Sequence, residues 1–103
     1  MAIQVLVLIE AKAGQREAVL EAFNRNAVTV RTEAGCLDYQ AFVDAPGFRA
    51  PIAAFGPDTI VVLERWESID DLNAHAKAPH TKSYRTETEA WVAKRTIHLL
   101  AAA

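Results

Sequence analysis

A single cysteine, Cys36, stands among the 103 residues, so no internal disulfide is possible and a reducing compartment is expected. Long apolar runs are missing as well. None approaches the roughly 20 residues that crossing a bilayer takes. The opening Met1-Ala2-Ile3-Gln4 sets no basic region before an apolar one, so a signal peptide is not expected either. The expectation is a cytoplasmic chain with no membrane partner. Charge of one sign is scarce: 11 Lys+Arg against 13 Asp+Glu leave a net charge of -2. Without a basic stripe to neutralise phosphates, nucleic acid is not an expected partner. Gly14 and Gly35 are isolated, which excludes a dinucleotide fingerprint and a phosphate loop. Three histidines occur without a close cysteine or an HExxH spacing, so no metal site is expected.

What is present is a folded-protein composition, 51% hydrophobic and 23% charged, of a length that holds one core and one domain, residues 1–103. Ile3 to Ile9 is a β-branched apolar run and reads as a strand buried on both faces. From Gln15 to Ala34 the positions Val19, Phe23, Ala27, Val30 and Ala34 recur at helical spacing, with Gly35 placed to end the helix. Cys36 to Val43 and Thr59 to Trp66 read as two further strands. Ser68-Ile69-Asp70-Asp71 is a capping box that starts a short helix with Ile69, Leu72 and Ala76 inward. Pro79 breaks that helix, a second stretch runs from Thr81 to Ala93, and Arg95 to Leu100 is the last strand. The order β-α-β-β-α-β gives an α+β, ferredoxin-like fold: one antiparallel sheet with helices on one side. Leu6 and Leu8 make the other face of the first strand apolar too, so a second copy is expected to cover it, sheet on sheet.

His75 borders the buried face of the first short helix, where an imidazole either exchanges protons with a ligand or serves as a satisfied structural histidine. His80, just after Pro79, faces the same cavity or caps its segment from solvent. It is five residues from His75, poor spacing for joint ligation on a continuous helix. Trp66 either stacks on a planar ligand or packs the core, and Tyr39 and Tyr84 divide the same way. Glu64, two residues before Trp66 on an apolar strand, needs an arginine or a backbone donor as partner. Cys36 reads as a small buried hydrophobe, with no diagnostic base nearby. The connection from Asp44 to Asp58, with three prolines and with Phe48 and Phe55, is longer than hairpin closure requires. It is either a flap bordering a pocket or dimer rim, or a tolerated excursion.

Taken in order, Ala11–Glu17 (AKAGQRE), Glu33–Tyr39 (EAGCLDY) and Val62–His80 (VLERWESIDDLNAHAKAPH) make the chain resemble the antibiotic biosynthesis monooxygenase family, including its quinol monooxygenases. The resemblance covers nearly the whole length. It implies a dimeric α+β barrel and oxidation of a quinol or polycyclic phenol by O2, with no metal, flavin or haem. It also implies a pocket between sheet and helices, with His75, Trp66 and His80 as the catalytic candidates. Tyr84, Tyr39, Phe48 and Phe55 are the residues expected to touch the aromatic or quinone-like ligand. Arg85 stands where the haem-degrading branch has its ligating histidine, which counts against haem. A related branch that isomerises a small phosphorylated ketone-type substrate supplies one alternative. A non-catalytic small-molecule-binding or stress-response barrel supplies the other.

Overall fold

The structure, a computed structural model, describes residues 2–103. Its elements are β1 (Ile3–Ala11), α1 (Arg16–Val30), β2 (Cys36–Phe42), β3 (Thr59–Trp66), α2 (Ile69–Lys77), α3 (Pro79–Thr88), a 3-10 turn (Glu89–Trp91) and β4 (Val92–Leu100). The four strands form one antiparallel sheet in the order β2-β3-β1-β4. This is the expected ferredoxin-like arrangement, with the second helical layer split at Pro79.

Period two decides the faces. Val5, Val7 and Ile9 lie opposite Glu64, Val62 and Ile60 of β3. This side carries the core, where α1 sets down Val19, Phe23, Ala27 and Val30, all buried. The opposite side has no helix. Cross-strand neighbours there are Leu6 with Leu63, Leu8 with Val61, and Phe42 with Val61.

Helix α1 stops at Val30, four residues short of the expected Ala34. The Thr32 and Glu33 amides donate three residues back, to Thr29 O (3.0 Å) and Val30 O (2.9 Å). The Thr32 hydroxyl donates to Thr29 O at 2.7 Å. Threonine offers the backbone this local alternative, and the helix tightens into a turn. Gly35 closes the turn at φ 79°, in the left-handed region. Its carbonyl accepts from Glu67 N at 2.9 Å, and a Cβ at Gly35 would run into the Asp71 carboxylate. The turn after α1 is therefore clamped against the start of α2.

At α2, Ser68 Oγ accepts from Asp71 N (3.1 Å), as a capping residue should. The return bond differs from expectation: the Asp71 carboxylate accepts from the Ser68 hydroxyl (2.9 Å), not from its amide. Ile69 and Ala76 are exposed, and the buried residue of this helix is His75, because α2 turns its Leu72–His75 edge inward. Pro79 takes the first position of α3, where its missing N–H costs nothing. Strand β4 begins at Val92, earlier than the expected Arg95, since Lys12 N donates to Trp91 O (2.8 Å) and Ala11 already pairs with Val92.

Candidate functional site

Between the sheet and helices α2 and α3 lies a cavity of about 260 Å³. Its floor is apolar, formed by Val5, Val7, Ile9 and Val62, with Phe23 of α1 behind. An engineered apolar cavity of about 150 Å³ holds a benzene ring. The present volume therefore suits one ring or two fused rings better than a larger polycycle. Into this space project Tyr39, Glu64, His75, Tyr84, Arg85 and Arg95.

His75 reaches the wall because the last turn of α2 ends just above the sheet. Its carbonyl accepts from Ala78 N (3.1 Å) and from the Thr81 hydroxyl (2.8 Å), which keeps the helix break satisfied. Its ring lies edge-on to Tyr39 (centroids 5.5 Å) and tilted against Trp66 (4.8 Å). His75 Nδ1 lies 2.8 Å from Glu33 Oε2, and His80 Nε2 lies 2.9 Å from the same oxygen. A carboxylate oxygen accepts, so each of those ring nitrogens carries its hydrogen. In the neutral tautomer of His75, that leaves Nε2 with a free lone pair. The expectation that five residues separate the two histidines too far held for a continuous helix. The Pro79 break removes that condition, and Glu33 joins them.

Glu33, His75 and His80 also present one oxygen and two ring nitrogens within 4.8 Å of one another, a set that could hold a metal ion. It is composed like the two-histidine, one-carboxylate sites that bind iron. A metal there would have to displace both N–H hydrogens now donated to Glu33.

Glu64 is 7% exposed, and its partner is neither an arginine nor a backbone amide but the Trp66 indole, whose Nε1–H donates to Oε1 at 2.9 Å. Burial pushes the Glu64 carboxyl up, against the opposing pull of Trp66 and His75. Between about 4.5, its ordinary value, and that raised value, the native state keeps a proton the unfolded chain has lost, so stability falls as pH rises across the interval. Glu64→Gln keeps the acceptor and abolishes this dependence. At pH 7 the variant should be the more stable, with the advantage vanishing below about pH 4.5. Urea midpoints at several pH values measure this, and a pH-independent difference would refute it.

Of the sequence-derived candidates, the structure brings His75, Tyr39 and Tyr84 to the cavity. His80 is tied to it through Glu33. Trp66 is fully buried with its N–H spent on Glu64, and it does not line the cavity. Phe48 and Phe55 do not line it either; they are 70% and 55% exposed on the loop over residues 43–58. That loop is closed by the Asp44 carboxylate, which accepts from the Phe55 (3.0 Å) and Gly56 (2.8 Å) amides. His98 lies opposite Leu6, on the helix-free face. Burial pushes the Cys36 thiol up, and Glu33 and Glu64 push the same way, which suits a packing role rather than a thiolate. Sequence reasoning did not single out Glu33 or Arg95. Glu33 does stand first in the EAGCLDY stretch, and an acidic residue opening that stretch was its one visible signal.

A profile of the antibiotic biosynthesis monooxygenase family matches residues 2–87. The chain belongs to the antibiotic biosynthesis monooxygenase family. Membership makes it an enzyme of the monooxygenase class. A relative named "Probable quinol monooxygenase YgiN", from Escherichia coli K12, is 37% identical over 98 residues, 93% of each chain. Among solved structures, a putative antibiotic biosynthesis monooxygenase from Nitrosomonas europaea superposes with a TM-score of 0.83 at 20% identity, over 98% of this chain and 89% of that one. A conserved protein from Methanosarcina mazei Go1 reaches 0.85 at 18% identity, over 100% and 94%. These two share the family fold. No helix of the described residues is long and apolar enough to cross a membrane.

Proposed function

We propose that this monooxygenase oxidises a small quinol with O2 and without metal, flavin or haem, using His75 as the base. The observation that carries the reading is His75 itself: a buried imidazole on the wall of an apolar cavity, its Nδ1–H spent on Glu33 at 2.8 Å and its Nε2 free to accept. Removal of one phenolic proton makes an anion able to give an electron to O2. The two radicals combine into a hydroperoxide on the ring, and loss of water leaves a hydroxylated quinone. One oxygen atom stays on the ring and the other leaves as water. The quinol supplies all the electrons, so no outside reductant is needed. The imidazolium formed on His75 would sit beside Glu33 and near Glu64, which stabilise its charge. Trp66 acts through Glu64 and His80 through Glu33, as positioning residues. The YgiN relationship supports a quinol over other phenols.

The same reading includes a homodimer through the helix-free sheet faces, supported by the apolar cross-strand rows there and by the exposure of Leu63, Phe42 and Leu100. Phe48 and Phe55, on the loop that continues from Phe42 and Val43, then belong to the dimer rim rather than to the cavity of their own chain.

An oxygen electrode tests the activity. Hydroquinones of one or two rings should be stable beside the protein under argon. On admitting air they should consume O2 about 100-fold or more above autoxidation, with turnover unchanged after exhaustive chelation. Loss of turnover on chelation and its return with Fe(II) would instead assign Glu33, His75 and His80 as metal ligands. No O2 consumption with any hydroquinone would overturn the proposal.

A further inference from the structure

The cavity has a second polar end that the proton chemistry does not use. Tyr84 is 6% exposed and its hydroxyl, wholly enclosed, has no protein hydrogen-bond partner. Nη2 of Arg95 is in the same condition, and its guanidinium lies 5.8 Å from the centroid of the Tyr84 ring. Arg85 stands beside them at the mouth of the cavity. Among the described residues neither arginine makes an ion pair. The one carboxylate in the wall, Glu64, gives an oxygen to Trp66 and does not pair with either.

Buried donors without acceptors cost free energy, and so do two neighbouring guanidiniums without a counter-ion. Desolvation and then the charge of Arg95 press Arg85 below the usual arginine range, and burial pushes the Tyr84 phenol up against the opposing pull of Arg95 beside it. Positive charge and a phenolic O–H thus face a part of the cavity where no carboxylate pairs with them. The fork of a guanidinium and the O–H of a phenol match the two oxygens of a planar carboxylate.

The position of this cluster relative to His75 gives it a use. Glu64 lies opposite Val5 and Arg95 opposite Ile9. Four residues along the strand and two strand spacings separate Glu64 from Arg95, about 16 Å between Cα atoms before side chains narrow the gap. A substituted aromatic ring spans what remains, with its phenol at His75 and its substituent at the arginines. Resting on the quinol reading above, we propose that Arg95, Arg85 and Tyr84 form a subsite for a carboxylate on the ring, so that the substrate is a one- or two-ring hydroquinone acid.

Calorimetric titration under argon, where no turnover occurs, tests the subsite apart from the chemistry. The probes are 2,5-dihydroxybenzoate, its methyl ester and unsubstituted hydroquinone, with benzoate and phenyl phosphate as competitors. The free acid should bind about tenfold or more tighter than the ester. Arg95→Met should erase that preference. Tyr84→Phe, which keeps the ring packing on Phe23, should reduce it several-fold with the melting temperature held. Benzoate should compete better than phenyl phosphate. Equal binding of acid and ester by the wild type, or a preference that survives in the Arg85→Met/Arg95→Met double variant, overturns the subsite. Tighter competition by phenyl phosphate overturns its assignment to a carboxylate. Acid preference without O2 consumption in air would uphold the subsite and sink the monooxygenase reading; O2 consumption without acid preference would do the reverse.

Discussion

His75→Ala should lower kcat for hydroquinone oxidation by about 10²–10⁴-fold, the usual contribution of a positioned base. The folded state should persist. The ring removed lies against Trp66 and Tyr39, but the core around Phe23 and Val62 does not depend on it. Added imidazole, small enough to enter the space vacated, should restore part of the rate. His80→Ala, which loses one bond to Glu33 but nothing on the cavity wall, should cost about tenfold or less. Glu33→Ala should fall between the two, because His75 then loses the acceptor that fixes its tautomer. Steady-state rates at saturating quinol, beside circular dichroism of each variant, give the comparison. Wild-type turnover in His75→Ala would remove it from the mechanism.

The second large effect is on assembly. Leu63 is 45% exposed in the single chain and lies opposite Leu6 on the helix-free face. If that face met only water, Leu63→Asp would change stability by no more than about 0.5 kcal/mol. In a sheet-to-sheet dimer the same carboxylate would be buried without a partner, at a cost of several kcal/mol. Sedimentation velocity at micromolar concentration should show a wild-type dimer and a Leu63→Asp chain that is monomeric or unfolded. The wild-type melting temperature should rise with protein concentration, as it does wherever folding and association are linked. A stable, well-folded wild-type monomer under those conditions would end the dimer reading.

Much of the fold was legible because its signals are local. The β-branched run over Thr59 to Trp66 is bounded by Gly56-Pro57 and by Ser68, and β3 spans those residues. Ser68 starts α2 through its own hydroxyl, and Pro79 divides the helical layer because its ring cannot continue a helix. Where the reading slipped, two local signals competed. Ala34 kept the helical period of α1, but Thr29 and Thr32 drew the backbone into a turn four residues earlier. Ile69 carried the stronger apolar signal in α2, yet the packing of the helix turned His75 inward instead.

The sequence by itself determined the antiparallel sheet with helices on one face, the apolar first strand, and His75 as a histidine near a buried surface. Those follow from periodicity and capping, which act within a few residues. Only the tertiary structure decided what His75 meets there. Glu33 is 42 residues from His75 and 47 from His80, and no spacing rule reaches that far. The meeting depends on Gly35 holding the turn after α1 against Asp71 at the start of α2. Arg95 likewise joins Tyr84 and Arg85 only because β4 pairs with β1 at the register that sets Arg95 opposite Ile9, on the helix side of the sheet. A one-residue slip would turn that guanidinium to the other face. Charge placement in a cavity is a property of register and helix docking, and neither is written in any one stretch of chain.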